Sequence, residues 1–199
     1  IAITTGLVGR FGTAAIAGYG TGVRLEYLMV PIVFGLGGPL VAMVGTAIGA
    51  GQRERALRVT WCGAAMAGGV TELIGLAAAL FPHVWLRLFD QDPKMLEAGS
   101  LYLQGVGPFY GFFGLGLALY FASQGAGHLR WPLMGNIARL LLVALAGLGV
   151  LAAGGGLLAL FVVQALGLVI YGLLNVLAVS GGAWFGPLGR PVGIRRLVA

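Results

Sequence analysis

Charge is scarce in this chain. Leu140 to Gly189 is a run of fifty residues without one Asp, Glu, Lys or Arg. Over all 199 residues only 9% are charged, against roughly 25% in a soluble domain. Cysteine is nearly missing too. Cys62 stands alone, which excludes a disulfide framework and a CxxC metal site and leaves it to be read as a small core residue. The two histidines, His83 and His128, fall at the ends of apolar runs. No HExxH, GxSxG or Walker pattern is present, so neither a common hydrolase nor an ATP-driven pump is encoded in this stretch. Glycine is abundant, 37 residues, but without a G-X-Y period, which excludes collagen. Small residues at helix contacts explain it better, and GxxxG spacings occur at Gly18/Gly22, Gly45/Gly49 and Gly107/Gly111.

What is there is hydrophobic length. The chain is 59% hydrophobic with a mean hydropathy of +0.97. Roughly 20 apolar residues suffice to cross the hydrocarbon of a bilayer as a helix. The expected fold is therefore an all-α, polytopic membrane protein forming one lobe over 1–199. One truncated span (1–8) and five complete ones (13–49, 59–81, 101–123, 133–153 and 157–179) are predicted, followed by a tail at 180–199. Gly154-Gly155-Gly156 marks a hairpin turn. The second span is long, and Pro31, Gly35, Gly37, Gly38 and Pro39 should kink or break it as a hinge; Pro108 should kink the fourth. In the connection at 82–100, Asp92-Pro93 has the form of a helix start, with Asp92 as N-cap, after a short interfacial segment. The chain opens Ile1-Ala2-Ile3 without Met, so a fragment is expected.

Orientation follows the basic residues. Arg53, Arg55, Arg58, Arg130, Arg190, Arg195 and Arg196 fall on one side under alternating crossing; Arg10, Arg87 and Lys94 fall on the other with Asp90, Asp92 and Glu97. The richer side is expected to be cytoplasmic, the C-terminus with it. Trp61, Trp85, Trp131 and Trp184 stand near span ends, as interfacial indoles do. The net charge of +6 thus reflects topology, and no nucleic-acid partner is implied.

Ionisable groups inside spans are costly and usually face a bundle interior or a wet cavity. Four qualify: Arg24, Glu26, Glu72 and Arg139. Glu72 lies mid-span in "GGVTELIGL". It is either a titratable coupling site or a carboxyl bonded to a neighbouring helix. Glu26 and Arg24 are two residues apart and point to different sides of a helix; they are either solvated interfacial charges or a site. Arg139 can snorkel as an anchor or contact substrate. Among neutral groups, Thr71, Gln104, Tyr110, Tyr120, Gln124, Gln164 and Asn175 either line a cavity or tie helices together. Phe109, Tyr110, Phe112 and Phe113 suit flat organic cations or a lipid-facing patch.

The stretch "LVGRFGTAAIAGYGTGVRLEYLMVPIVFGLGGPLVAMVGTAIGAGQRERALR", closing on Val44-Gly45-Thr46-Ala47-Ile48-Gly49-Ala50-Gly51 with Arg53, Arg55 and Ala56, resembles a repeat unit of the MATE multidrug and toxin extrusion transporters. "YLQGVGPFYGFFGLGLALYFASQGAGHLRWPL" looks like the later helix pair of that family. The resemblance implies twelve helices in two six-helix lobes, this chain being the second and its partner the N-terminal lobe. It implies a plasma-membrane antiporter without a cofactor, exporting organic, often cationic compounds or drugs against Na+ or H+. Family members often place a carboxylate in the helix matching that of Glu26. The candidate ion-coupling or substrate residues are Glu72, Glu26, Arg24, Tyr110 and Gln124. Two alternatives remain: a lipid-linked oligosaccharide flippase of the same superfamily, favoured by inward-facing Arg24 and Arg139, and a non-transporting fragment.

Overall fold

The computed structural model describes residues 2–185. Most of the expected tail, with Arg190, Arg195 and Arg196, lies outside the described residues. Eight α-helices follow in order: α1 (Ala2–Val8), α2 (Thr13–Gly49), α3 (Arg53–Leu80), α4 (Pro82–Leu86), α5 (Pro93–Val106), α6 (Tyr110–Gly125), α7 (Arg130–Ala152) and α8 (Leu157–Ser180). Short 3-10 turns occupy Gly9–Phe11 and Gly107–Phe109. With α5 and α6 counted as one rod, Pro93–Gly125, five helical stretches among the described residues are long and apolar enough to cross a membrane.

Large apolar side chains cover much of the outside. On α7, Leu133, Met134, Ile137, Leu141, Leu145 and Leu148 are all exposed. Water would not tolerate so broad an apolar surface, whereas lipid would. Cys62 is exposed as well, which corrects its reading as a core residue. An apolar run has no polar face to mark its outside, so periodicity does not separate core from lipid.

Inside, α3 packs along α6, α2 along α5 and α6, and α8 along α6 and α7. The core divides into two clusters. One gathers Tyr19, Met29, Tyr102, Tyr110, Phe161 and Leu168; the other gathers Val44, Leu57, Ala64, Leu119 and Phe121. Close approach rests on glycine. A Cβ at Gly18 would lie 2.6 Å from the Gly99 nitrogen on α5. Gly107 and Gly111 both face α3, at Gly75 and Glu72. Of the GxxxG pairs, Gly45/Gly49 is half used: Gly45 faces the Gly125 carbonyl, and Gly49 faces open space.

Four helix ends are built alike. α2, α6, α7 and α8 each finish on a glycine with positive φ: Gly51 (71°), Gly127 (75°), Gly154 (72°) and Gly182 (78°). Each end carries the same pair of backbone bonds, as in Gln52 N–H to the Ala47 carbonyl (2.8 Å) with Gly51 N–H to Ile48 (2.9 Å). This is the Schellman closure, which satisfies last-turn carbonyls that would otherwise lack donors. At the other kind of end, the Asp92 side chain accepts from Lys94 N–H and Pro93 opens α5.

Pro31 and Pro39 both lie inside α2, and the helix runs through them. Of the expected kink or break, the break is therefore corrected. Each proline costs one hydrogen bond, but opening the helix in apolar surroundings would strand more backbone groups than that. The second expected kink takes the form of the 3-10 turn at Gly107–Phe109, where Pro108 separates α5 from α6. At 37 residues, α2 is about 55 Å long at 1.5 Å per residue. This exceeds the roughly 30 Å of bilayer hydrocarbon, so α2 tilts or projects from the membrane.

Candidate functional site: an intramembrane ion pair

The two charges that the sequence left unmatched find each other. Arg139 on α7 donates from Nη2 to Glu26 Oε1 on α2, at 3.2 Å. The second carboxylate oxygen, Oε2, accepts from the Tyr102 hydroxyl of α5 at 3.3 Å. The Arg139 and Glu26 side chains are 20% and 13% exposed. Room for the Arg139 stem comes from Gly167 on α8, where a Cβ would lie 3.3 Å from Arg139 Cγ. Arg139 is thus neither a free snorkelling anchor nor a lone cation, and Glu26 is not an isolated interfacial charge. Pairing is the expected way for such groups to exist in a membrane.

The pair borders a cavity of about 260 Å³ between α1, α2, α7 and α8, whose polar lining is Thr4, Glu26, Asn136, Arg139 and Gln164. Thr4 Oγ1 donates to Gln164 Oε1 at 3.4 Å, joining α1 to α8. Behind the pair is an aromatic wall. Tyr19 meets Tyr102 edge-on at 5.2 Å, and Tyr102 meets Phe161 likewise at 5.2 Å. The Tyr19 and Tyr110 hydroxyls are buried, and no hydrogen bond of sound geometry reaches either, although Thr4 and Tyr102 stand close by. Unsatisfied buried hydroxyls are uncommon and hold capacity for water or an ion.

The other candidates lie elsewhere. Arg24 is exposed and stacks over the Phe89 ring at 5.1 Å, a cation–π contact on the far side of α2 from Glu26. Gln124 is exposed at the end of α6 and does not line the cavity. Tyr110 belongs to the core behind the pair. The aromatic run splits: Phe113 is buried while Phe109 is 36% exposed, so it forms no single ring-lined surface. Glu72 does not line the cavity either; its Oε2 accepts from Gly111 N–H at 2.7 Å, across to the first turn of α6. Thr71 and Asn175 bond carbonyls of their own helices rather than bridging to others. Among the described residues, no group of three or more His, Cys, Asp and Glu could hold a metal ion.

A carboxylate held between a guanidinium and a phenol, beside an open cleft of mixed polar and apolar lining, suits exchange of a cation better than covalent chemistry. The family model that matches this chain is MatE, over residues 2–148. The chain belongs to the MatE family. It is therefore a multi-pass membrane protein of a family of transporters, not of enzymes. Two curated relatives agree. The "Probable multidrug resistance protein NorM" of Thermotoga maritima is 28% identical over 123 residues, covering 62% of this chain and 26% of that protein. The "FAD transporter" of Shewanella oneidensis is 30% identical over 146 residues, covering 72% of this chain and 32% of that protein. This MatE chain spans about a quarter to a third of the length of these relatives.

The Glu26–Arg139 pair was missed as a pair. The signal was present: two opposite charges deep in apolar spans, each without a partner on its own helix. What the sequence lacked was the rotation of each helix about its axis.

Proposed function

We propose that this MatE chain forms one six-helix lobe of a twelve-helix, two-lobe secondary transporter of the plasma membrane. It exports organic compounds against an inward flow of Na+ or H+, and its Arg53 side faces the cytoplasm. The observation that carries the reading is Glu26, held between Arg139 and Tyr102 at the rim of that cleft. In the empty lobe, Arg139 serves as a resident counter-cation, so the lobe can rearrange without an unpaired charge in hydrocarbon. A proton, a Na+ ion or a cationic substrate arriving at Glu26 competes with Arg139 for the carboxylate. Its binding loosens the tie between α2 and α7, and its release restores it. Ligand occupancy is thereby coupled to the spacing of two helices, which is what a ligand must change to shift a two-state equilibrium. Pro31 and Pro39, with the loosely packed Gly35 and Gly38 beside them, then give α2 a place to flex. Gly37 does not share that freedom, because it abuts the Phe121 ring.

A second reading concerns substrate charge. Arg139 faces the cavity, and one relative is named for transport of FAD, an anion. An anionic substrate would take Arg139 away from Glu26 instead. Arg24, which points away, gives no support to the more cationic cavity that an oligosaccharide flippase would favour. The test is a Glu26→Gln variant of the full-length transporter, assayed for efflux of a fluorescent organic cation under an imposed Na+ or pH gradient. Efflux should fall to background at normal membrane levels. Undiminished gradient-driven efflux would overturn the assignment of Glu26 as the exchange site. Competition of that efflux by FAD, absent with a neutral analogue, would favour the second reading.

A further inference from the structure

We propose that Glu72 is a positioning residue that caps helix α6 from the neighbouring helix α3, holding the break at Pro108 in place, and that it carries no exchangeable ion. The start of α6 is a helix N-terminus inside the apolar part of the Pro93–Gly125 rod. The first N–H groups of any helix lack intrahelical acceptors, and in hydrocarbon no water supplies one. Tyr110 N–H is satisfied by the 3-10 bond to the Gly107 carbonyl. Gly111 N–H is the next donor, and it points to Glu72 Oε2 at 2.7 Å. An N-cap residue normally supplies that oxygen from the same strand of chain. Here the N-cap position is Phe109, which has no side-chain acceptor. Glu72, 39 residues earlier in sequence, does its work.

The seam around this bond is built for it. Gly111 has no Cβ, and one would lie 2.6 Å from Glu72 Oε2. A Cβ on Gly107 would lie 2.7 Å from the Gly75 carbonyl, one helical turn beyond Glu72. The carboxylate is thus aimed at the discontinuity by glycines on both helices. The cap reaches the exchange site through Tyr110, the first residue of α6, whose hydroxyl lies beside Tyr102. Tyr102 in turn donates to Glu26. Fixing the start of α6 fixes the wall behind the ion pair.

The chemistry separates a cap from a coupling group. A cap needs only an acceptor oxygen, which an amide also offers; coupling needs a group that gains and loses charge. Glu72→Gln should keep cap and transport, whereas Glu72→Ala should lose both. Pro108→Ala supplies the control. With an ordinary residue there, the rod can close as one helix and Gly111 N–H can find the Gly107 carbonyl, making the cap redundant. Glu72→Ala should therefore harm the native background and be silent in Pro108→Ala.

Two readouts test this in the full-length protein. One is efflux at matched membrane levels. The other is hydrogen exchange of the 110–113 backbone, which reads the cap whether or not the Glu26 proposal holds. Glu72→Ala should speed exchange there on the order of tenfold, the scale of one lost part-buried hydrogen bond to a charged group. Glu72→Gln should change it about threefold or less, a neutral acceptor being the weaker one. Loss of efflux in Glu72→Gln with native exchange at 110–113 would overturn the proposal, because charge rather than acceptance would then be the requirement. So would native exchange in Glu72→Ala. Should Glu72→Ala fail to accumulate, recovery in Glu72→Ala/Pro108→Ala supports the cap, and continued failure rejects it.

Discussion

Removing the guanidinium from Arg139 should destabilise the lobe mainly through what it leaves behind. Glu26 Oε1 would lose its partner at 3.2 Å, while Oε2 would keep the Tyr102 hydroxyl. Breaking a fully buried pair costs about 3–5 kcal/mol. Both side chains retain some exposure, 20% and 13%, and one oxygen stays bonded, so about 2 kcal/mol is expected for Arg139→Ala. In a Glu26→Gln background, no carboxylate is left stranded, and the same truncation should cost about 1 kcal/mol or less. The difference is a coupling energy of about 1–2 kcal/mol, well beyond the roughly 0.5 kcal/mol within which independent sites add. Native, both single variants and the double should be unfolded reversibly in mixed micelles with helicity as the signal. Tyr102→Phe serves as a check, because it should raise the cost of Arg139→Ala. A coupling energy under about 0.5 kcal/mol would refute the reasoning, since an ion pair at this depth cannot be that indifferent to its partner.

Two further expectations follow from packing and topology. A Cβ at Gly114 would sit 2.6 Å from the Ala67 carbonyl and closer still to Thr71 Oγ1, so Gly114→Ala should cost about 1–3 kcal/mol by overpacking. Gly69→Ala, where the Cβ meets open space, should stabilise by about 0.5–1 kcal/mol; the same unfolding assay compares them, and equal effects would contradict the α3–α6 contact. For orientation, Gln52→Cys in a Cys62→Ala background should resist an impermeant maleimide added outside intact cells and react once the membrane is opened. Strong labelling from outside would reverse the topology.

Much of the fold was legible because the membrane simplifies the code. Hydrophobic length marked the long helices, and Gly154-Gly155-Gly156 marked the turn between α7 and α8. Asp92-Pro93 announced the start of α5 by rules that hold in any solvent. Legibility failed where the question was which way a helix faces. Cys62 was read inward and faces outward; the helices are apolar all round, so nothing in their pattern separates lipid from core. The same blindness hid the match of Glu26 with Arg139, separated by 113 residues. It also left two readings open for Glu72, whose acceptor role depends on where α6 begins. The prolines of α2 leave the helix unbroken for a different reason. Their local cost is real, but the helix is held from outside by α3, α5 and α6, and a local rule cannot count that support.

The Schellman ends carry a consequence for biogenesis. A transmembrane helix leaving the ribosome must dispose of its last carbonyls before any neighbour has arrived. At Gly51, Gly127, Gly154 and Gly182 the chain does this with its own next two amides. Each of these segments can therefore enter lipid with its C-terminal end already closed, in order of synthesis, although the start of α6 still awaits Glu72 of α3. Assembly then becomes a matter of lateral docking between rods already inserted. Such a lobe should survive a cut or a graft in the loops at Gly51, Gly127 and Gly154, whereas the segment after Gly182 is tied to the bundle through Trp184 and Phe185.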